Sequence, residues 1–456
     1  MNPNARAITT LCFAELVERL SYFGLFAVII LKLDVVFHLH DARSFAIFGL
    51  FTAFSYTLLV LGGYIADKWF GARWSIVLGG ILLIVANLCL ATNTPDLFYM
   101  GLSLLTVGTA LFKVNCTSLV GVLCVQEKSA REQAYTWLYT CMNIGGTLGP
   151  IVYGLIIALL GWSECFWLSA VLIAVALGFF CRNDAIKACE GPGKKSLLPY
   201  GVLILLVVCV CLGFLFHTLS TATMVLMFVV AVVVLLYSGM RTKAGHKKSF
   251  AALLLLYLAC VAFFACSLQV GSSITLFIHR AVSLSILSFH IPTPWFTALD
   301  PLFVVLMAPV FIALWRALAK RGREPFVSTK VAIGIALAAI AFLILYLASR
   351  ASAHSTMYTS IFWLVMANLF LGAGEICLSP AVLSCLHDYV PRSLYSTMTG
   401  AWFLFIALGG YFAGELSKLT TVFSYGQAFL LVAAFAAVSA VLVLLMKPLV
   451  VSLGSR

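Results

Sequence analysis

The stretch FAELVERLSYFG, residues 13–24, places three charged side chains, Glu15, Glu18 and Arg19, inside a run that is otherwise apolar enough to span a membrane. On a helix, these charges and Tyr22 recur at i, i+3, i+4 and i+7, so they share one face. A charge at the centre of a span costs about 2.5–3.5 kcal/mol on insertion scales, so this face must line protein or water. A structural ion pair is one interpretation, but intramembrane charges more often mark a substrate or ion pathway.

The rest of the chain has the composition of an integral membrane protein. Of its 456 residues, 63% are hydrophobic and only 10% are charged, far below the roughly 25% usual in soluble domains. Apolar runs recur along the whole chain without the alternation of a membrane β-barrel, so we expect an all-α, polytopic bundle. About fourteen spans are predicted, at residues 8–32, 45–66, 74–93, 97–121, 135–160, 164–182, 198–216, 221–240, 250–278, 296–318, 330–348, 357–385, 396–417 and 424–446.

Basic residues concentrate on one side of the predicted bundle. With the N-terminus inside, roughly 21 of the 28 Lys and Arg fall on the cytoplasmic side, as the positive-inside rule requires. The net charge of +12 therefore reflects topology and not binding to nucleic acid, and we expect both termini to be cytoplasmic. The 14 cysteines form no C-x-x-C pair, so neither a zinc site nor a thioredoxin-like centre is predicted. We expect no metal and no cofactor.

Composition also divides the chain into three parts. The least hydrophobic internal stretch, residues 182–196, is rich in charge, Gly and Pro, as linkers are. Six spans precede it, two very apolar spans follow, and the last six begin near residue 250. We therefore predict a six-helix bundle over residues 1–182, a linker with two extra helices over residues 183–249, and a second six-helix bundle over residues 250–456.

Three more charged residues lie at similar depth in other spans: Lys113, Asp300 and Glu375. With the three charges of the first span they make four carboxylates against two cations, so two acids lack a cationic partner. Such an acid tends to hold a proton until water or a cation reaches it, and can load and release protons. A bridge between Lys113 and Glu375, which lie in opposite halves, could form in one conformation and break in the other. A static buried pair is the alternative.

Uncharged polar and aromatic residues of the spans complete a candidate cavity. Any one of them is more often a helix-packing hydrogen bond, but their clustering with the charges favours a binding site. The residues are Tyr22, Tyr56, Asn115, Tyr139, Asn143, Gln269, Ser272, Ser379 and Trp402.

Several motifs together resemble those of the proton-coupled oligopeptide transporters, a family of the major facilitator superfamily. ELVERLSYFG, residues 15–24, resembles the family's E-x-x-E-R-F-x-Y-Y-G, and GGYIADKWFGAR, residues 62–73, resembles the superfamily's loop motif. Further matches are GTALFKVN, LYTCMNIGG, LQVGSS, LDPLF, GEICLSP and GAWFL. The resemblance covers nearly the whole chain. It implies two six-helix bundles with an inserted helix pair, as in bacterial members, working by alternating access.

By matching position, the resemblance implies roles for the charged residues. Arg19 and Lys113 would attract a peptide's carboxylate, and Glu375 would meet its amino terminus. Glu15 and Glu18 would take part in proton coupling together with Arg19. The pocket would be lined by Tyr22, Tyr56, Tyr139, Asn143 and Trp402.

The chain departs from the family pattern at positions that bear on gating and cargo. Phe26 and Leu268 stand where the family commonly has an Arg and a Glu that can pair as an extracellular gate, so both charges are lost together. Asp300 replaces an Asn, and this new acid could favour cationic substrates or supply another proton site. Val114 replaces a Pro, and Phe23 replaces the second Tyr of the first motif.

The leading hypothesis is a proton-coupled symporter that imports di- and tripeptides, a monomer in the bacterial inner membrane, with protons, peptide and lipid as its partners. A second hypothesis keeps the fold but changes the cargo to a peptide-like metabolite, an amino acid derivative or a drug. A receptor would need a signalling domain, and none is visible in the sequence. An enzyme would need a nucleophile–base pair or metal ligands at depth, which the histidines and cysteines do not supply.

Overall fold

A computed structural model of the protein describes residues 3–123, 128–189, 198–215, 247–282, 284–286, 289–353, 361–385 and 395–454, with single positions at 225, 229 and 389. Within these residues, nine helical stretches are long and apolar enough to cross a membrane. The predicted span over residues 221–240 lies outside the described residues, apart from two single positions. The all-α, polytopic architecture expected from the sequence is confirmed.

The chain divides into two compact units, and the first contains Met1–Leu39 and Leu50–Thr223. Within it, α1 packs against α5 and α6, and α3 packs against α4 and α6. Two π-helical turns, Lys32–Val36 and Ala66–Phe70, follow α1 and α2. The helices are α1 (Pro3–Leu31), α2 (Asp41–Ile65), α3 (Gly71–Leu90), α4 (Pro95–Leu123), α5 (Lys128–Leu159), α6 (Trp162–Arg182), α7 (Asp184–Lys187) and α8 (Leu198–Leu215).

The second unit contains His40–Gly49, at the start of α2, and Met224–Arg456. Its helices are α9 (Lys247–Ser267), α10 (Ser273–Ala281), α11 (Leu299–Lys320), α12 (Val327–Ala353), α13 (Ile361–Ser384), α14 (Tyr395–Ser417), α15 (Leu419–Val422), α16 (Tyr425–Leu445) and α17 (Lys447–Gly454). Here α12 packs against α13 and α16, α9 against α14, and α11 against α13. The three-part division predicted from composition stays a prediction.

Short irregular elements interrupt the helices of the second unit. A 3-10 turn, Leu268–Gly271, separates α9 from α10, so the predicted span over residues 250–278 is broken near its end. Between α10 and α11 lie a 3-10 turn, Thr293–Ala298, and a small antiparallel ribbon. In the ribbon, β1 (Ser285–Ile286) pairs with β2 (Phe289–His290).

The loop motif between α2 and α3 contains one backbone feature that requires glycine. Gly71 follows the π-helical turn Ala66–Phe70 with a φ of 73°, in the left-handed region that L side chains rarely adopt. Glycine at this position therefore lets the chain pass from the turn directly into α3.

Two glycines let α1 and α5 meet backbone to backbone. A Cβ added at Gly145 would collide with the carbonyl oxygen of Leu16, and one at Gly149 would collide with that of Leu20. The added Cβ of Gly145 would also lie 2.9 Å from the Cβ of Arg19. Small residues with this four-residue spacing are a common way for membrane helices to pack closely. This close backbone contact therefore places the part of α1 that carries Arg19 against α5.

We expect Gly149→Ala to lower the melting temperature of the purified protein. The added methyl group meets backbone atoms, which cannot rotate away, so the cost should reach about 1–3 kcal/mol, as for other overpacked sites. Gly178→Ala is the matched control, because nothing lies within 4 Å of a Cβ at Gly178. Equal melting temperatures for the two variants would contradict the close approach of α1 and α5.

Candidate functional site

Arg19 and Glu18 form a doubly hydrogen-bonded ion pair in the interior of the first unit. Arg19 Nε donates to Glu18 Oε2 at 2.5 Å, and Arg19 Nη2 donates to Glu18 Oε1 at 2.6 Å. Only 4% of Arg19 and 1% of Glu18 are exposed, so the pair is shielded from water. Thr109 of α4 donates through Oγ1 to Glu18 Oε1 at 2.8 Å. The ion pair therefore also joins α1 to α4.

Glu15, one turn before Glu18, is fully buried but much less well paired. Arg19 Nε lies 3.8 Å from Glu15 Oε1, and the Cys116 thiol lies beside the same carboxylate. Among the described residues, no nitrogen or oxygen donor forms a hydrogen bond to either oxygen of Glu15. Such a carboxylate is unusual, since nearly all buried polar groups in proteins are hydrogen-bonded.

Lys113 completes a charge-balanced cluster in the first unit. It is half-buried on α4, four residues after Thr109, so the two share the helix face that meets α1. It lies within electrostatic range of Glu15, Glu18 and Arg19. Two carboxylates therefore face two cations in this unit.

Aromatic rings cover the guanidinium of Arg19. Its Cζ lies 4.8 Å from the ring centroid of Tyr22 and 6.0 Å from that of Phe23, distances at which a cation is attracted to an aromatic face. Tyr22 in turn stacks on Phe51 of α2, with centroids 5.6 Å apart. The structure thus brings together the four residues that helical spacing places on one face of α1.

The other predicted site residues of the first unit lie on α2, α4 and α5. Asn115 is buried and donates through Nδ2 to the carbonyl oxygen of Leu111 at 2.7 Å. Asn143 donates in the same way to the carbonyl oxygen of Tyr139 at 2.9 Å, while 62% of Tyr139 itself is exposed. Tyr56 is half-buried on α2. One donor of each amide is therefore used within its own helix.

The second unit carries its two intramembrane acids within electrostatic range of each other. Asp300 is the second residue of α11, and Glu375 lies in the middle of α13; the two carboxylates interact electrostatically. Asp300 Oδ1 is buried, and nothing in the described part of the chain hydrogen-bonds to it. Nor does any described cation interact with either acid. Of the four predicted intramembrane carboxylates, these are therefore the two without a described cation in range. The predicted bridge from Glu375 to Lys113, which belongs to the first unit, stays a prediction.

Gln269 and Ser272 lie at the break between α9 and α10 and are already paired. Gln269 donates to the carbonyl oxygen of Ala265 at 2.9 Å, and its Oε1 accepts from Ser273 Oγ at 2.9 Å. The hydroxyls of Ser272 and Ser417 lie 2.8 Å apart. Both predicted residues are buried, so in this structure they stabilise the broken helix.

Ser379 and Trp402 have contrasting surroundings. Ser379 Oγ is buried one turn after Glu375, and it has no hydrogen-bond partner among the residues that the structure describes. Trp402 is 4% exposed, with its ring against those of Tyr257 and Phe264, at centroid distances of 5.4 and 5.7 Å. Ser379 therefore has a hydroxyl that can still form a hydrogen bond near the acids, whereas Trp402 packs in a buried cluster of aromatic rings.

Sequence reasoning overlooked two residues that contact the charged cluster, Thr109 and Cys116. They stand four residues before and three residues after Lys113 on α4. Side chains three or four positions apart share a helix face. The helical spacing around Lys113 was therefore the signal that could have identified both.

Comparisons with known proteins agree on one family. The profile of the POT family (PTR2) matches residues 73–432 of this chain. The chain is 30% identical to dipeptide and tripeptide permease A of Escherichia coli, over 95% of this chain and 90% of the relative. It is 29% identical to the peptide transporter YePEPT of Yersinia enterocolitica, over 97% of this chain and 94% of the relative.

Solved structures share the fold over almost the full length. A peptide transporter POT in complex with sulfate superposes with a TM-score of 0.88 at 23% identity, covering 99% of this chain and 96% of the other. A POT family transporter in complex with 5-aminolevulinic acid gives a TM-score of 0.84 at 22% identity, covering 98% and 96%. The major facilitator architecture expected from the motifs is therefore confirmed.

We expect Arg19→Met to destabilise the protein far more than Thr109→Val. Removing the guanidinium leaves two buried carboxylates without a hydrogen-bonded cation, which typically costs about 3–5 kcal/mol. Removing the Thr109 hydroxyl deletes one hydrogen bond, worth about 1 kcal/mol. Melting temperatures of the purified variants measure the difference.

The matched control is Lys187→Met, which removes the cation of the exposed ion pair with Asp184. It should leave the melting temperature unchanged, since exposed pairs contribute little. If Arg19→Met melts like this control, the cluster does not stabilise the first unit as described.

Proposed function

This chain belongs to the POT family of proton-coupled oligopeptide transporters, and on that premise we propose that it imports di- and tripeptides together with protons by alternating access. The observation that carries the proposal is the uneven distribution of charge. In the first unit Glu15 and Glu18 lie within range of two bases, Arg19 and Lys113, whereas Asp300 and Glu375 of the second unit have no described base in range. Nothing in this arrangement is suited to covalent chemistry, so the protein is proposed to be a transporter and not an enzyme.

The first unit would receive the carboxylate of the peptide. Arg19 presents five N–H donors, and Glu18 uses two of them. An incoming carboxylate competes with Glu18 for Arg19, and Lys113 adds a second positive charge. Once Glu18 loses its partner it would lie buried beside Glu15 and the incoming carboxylate, and a proton is the cation that can then compensate its charge. Binding of peptide and of proton are linked by this competition.

The second unit would receive the amino terminus. Asp300 and Glu375 interact with each other, and two carboxylates in one apolar site cannot both ionise at low cost. One of them would share or hold a proton while the other accepts the ammonium group of the peptide. The unpartnered Oδ1 of Asp300 and the hydroxyl of Ser379 are available to complete that contact.

The membrane potential can drive this cycle. One proton moving down 100 mV yields about 2.3 kcal/mol. At about 1.4 kcal/mol per factor of ten, that energy supports roughly fiftyfold accumulation of a neutral dipeptide.

The multi-pass chain is proposed to work as a monomer in a bacterial inner membrane with both termini in the cytoplasm. The excess of Lys and Arg in the loops on that side supports the orientation. Under this topology, α1 runs outward, and the start of α2 faces the outside.

A related cargo remains the second candidate, because Asp300 adds an acid that the family pattern lacks. Two acids without a described base favour a substrate with a second cationic group, such as a lysine-containing dipeptide or a cationic amino acid derivative. Both kinds of cargo would bind in the same way, since in either case an ammonium group contacts Asp300 or Glu375.

We predict that Glu18→Gln uncouples transport from the proton gradient. Proteoliposomes with wild-type protein should accumulate labelled Ala-Ala up to about fiftyfold at 100 mV. The glutamine variant should only equilibrate it, to a ratio of about one, because Gln cannot exchange the proton. Glu324→Gln, which changes an exposed side chain that pairs with Lys330, is the matched control and should accumulate normally. Equal accumulation by Glu18→Gln and wild type would contradict proton coupling through this residue.

We also predict that Asp300 sets a preference for cationic cargo. Asp300→Asn should lower the uptake of Ala-Lys relative to Ala-Ala by about fivefold, which corresponds to about 1 kcal/mol. Competition of both dipeptides against one labelled substrate measures the ratio. Asp184→Asn, an exposed acid on α7, provides the control. An unchanged ratio would assign Asp300 to another role.

A further inference from the structure

Two cysteines of the first unit face each other across the contact between α1 and α5. The thiols of Cys12, on α1, and Cys141, on α5, lie close enough to interact with each other. Both are free thiols in this structure. They are far apart in the sequence, and neither belongs to a C-x-x-C pair. The fold, and not a sequence motif, therefore brings the two thiols together.

The register of the two helices explains why these thiols meet. Gly145 of α5 lies against the backbone of Leu16 on α1, and the same kind of contact recurs four residues later on both helices. Cys141 and Cys12 stand four residues before Gly145 and Leu16, respectively. Residues four positions apart share a helix face. The two cysteines therefore occupy the preceding position of the same helix contact.

Close backbone contact is also what a disulfide requires. Two cysteines can be joined when their Cα atoms lie within about 7 Å of each other and their side chains point together. Because Gly145 has no side chain, the backbones of α1 and α5 touch one turn away from the cysteines. The thiols of Cys12 and Cys141 can therefore be linked with little movement of either helix.

The two thiols differ in their access to reagents. Cys141 is half-buried, whereas only 7% of Cys12 is exposed. Oxidation of cysteine depends on exposure as well as on thiolate character. A small oxidant such as hydrogen peroxide therefore reaches Cys141 first, and Cys12 lies beside it as the thiol that can resolve the oxidised product.

The thiol pair lies next to the candidate site. Cys12 stands three residues before Glu15, and the two side chains interact electrostatically. Cys141 lies in the sequence midway between Tyr139 and Asn143, two of the predicted site residues. A covalent link at this position would therefore connect the helix of the charged cluster to the helix that carries these two residues.

We propose that Cys12 and Cys141 form a reversible oxidation site, whose disulfide joins α1 to α5 next to the charged cluster. Hydrogen peroxide oxidises the Cys141 thiol to a sulfenic acid and is reduced to water. The Cys12 thiol then attacks that sulfur, so the S–O bond breaks, the S–S bond forms and a second water leaves. Two thiols thus give two electrons to one peroxide. A small thiol reductant restores both cysteines by thiol–disulfide exchange.

Mapping of the linked peptides tests the proposal directly. The purified full-length protein is treated with hydrogen peroxide or with diamide, which oxidises two thiols by accepting both hydrogens. It is then unfolded in the presence of N-ethylmaleimide, and its peptides are identified by mass spectrometry. We expect Cys12 and Cys141 in one disulfide-linked peptide pair, which dithiothreitol separates. If both carry N-ethylmaleimide while the exposed Cys181 and Cys209 are oxidised, the two thiols only pack against each other and the proposal is wrong.

The disulfide should also raise the melting temperature of the purified protein. Oxidised wild type should melt at least about 3 °C above its reduced form, because the link closes a long loop in the unfolded chain. Cys141→Ser, treated in the same way, is the matched control, and its melting temperature should not respond to peroxide. If Cys141→Ser does not fold, Cys12→Ala takes its place.

A linked protein that melts no higher than its reduced form would overturn the claim that the disulfide holds α1 against α5. Linkage of either cysteine to a different partner would overturn the assignment of the pair. Both measurements use the purified protein without cargo. They therefore decide on the oxidation site whether or not the protein transports dipeptides.

Discussion

The high cost of an uncompensated charge in a low-dielectric bundle governs this protein. The buried guanidinium of Arg19 needs a counter-charge. Glu18 accepts two hydrogen bonds from it, and the ring of Tyr22 packs over it. The same cost applies to Asp300 and Glu375, for which no described cation is in range. Only a proton, water or a cationic cargo can compensate them. Which groups can bind protons and cargo thus depends on how the charges within each unit are compensated.

The packing of the helices is adapted to the same requirement. Glycines allow α1 and α5 to approach closely enough to shield the ion pair from lipid and water. Where α2 meets α14, glycines again allow close backbone contact, on the same helix as the partly exposed ion pair of Asp41 with Arg280. The contact of α1 with α5 therefore lies against buried charges, whereas the contact of α2 with α14 lies nearer to charges that are partly open to water.

Much of the fold could be predicted from the sequence because the apolar runs are long and continuous. The charged face of α1 could also be predicted, since helical spacing alone places Glu15, Glu18 and Arg19 on one side of the helix. Contacts between elements that are distant in the sequence could not be predicted in this way. Nothing local connects Asp41 to Arg280, and the internal hydrogen bonds of Gln269 depend on a 3-10 turn that the composition does not indicate. Thr109 could have been predicted only from its position four residues before Lys113, since hydroxyl side chains are common in apolar spans.

Buried carboxylates need a compensating positive charge, so protons are expected to enter together with the peptide. Proteoliposomes loaded with a pH-sensitive dye test this most directly, with external dipeptide added in the absence of any imposed pH gradient. The lumen should acidify as peptide enters, by at least about one proton per peptide, because each buried carboxylate that loses its cation needs a proton to compensate its charge. Entry of peptide with no change in luminal pH would contradict the claim.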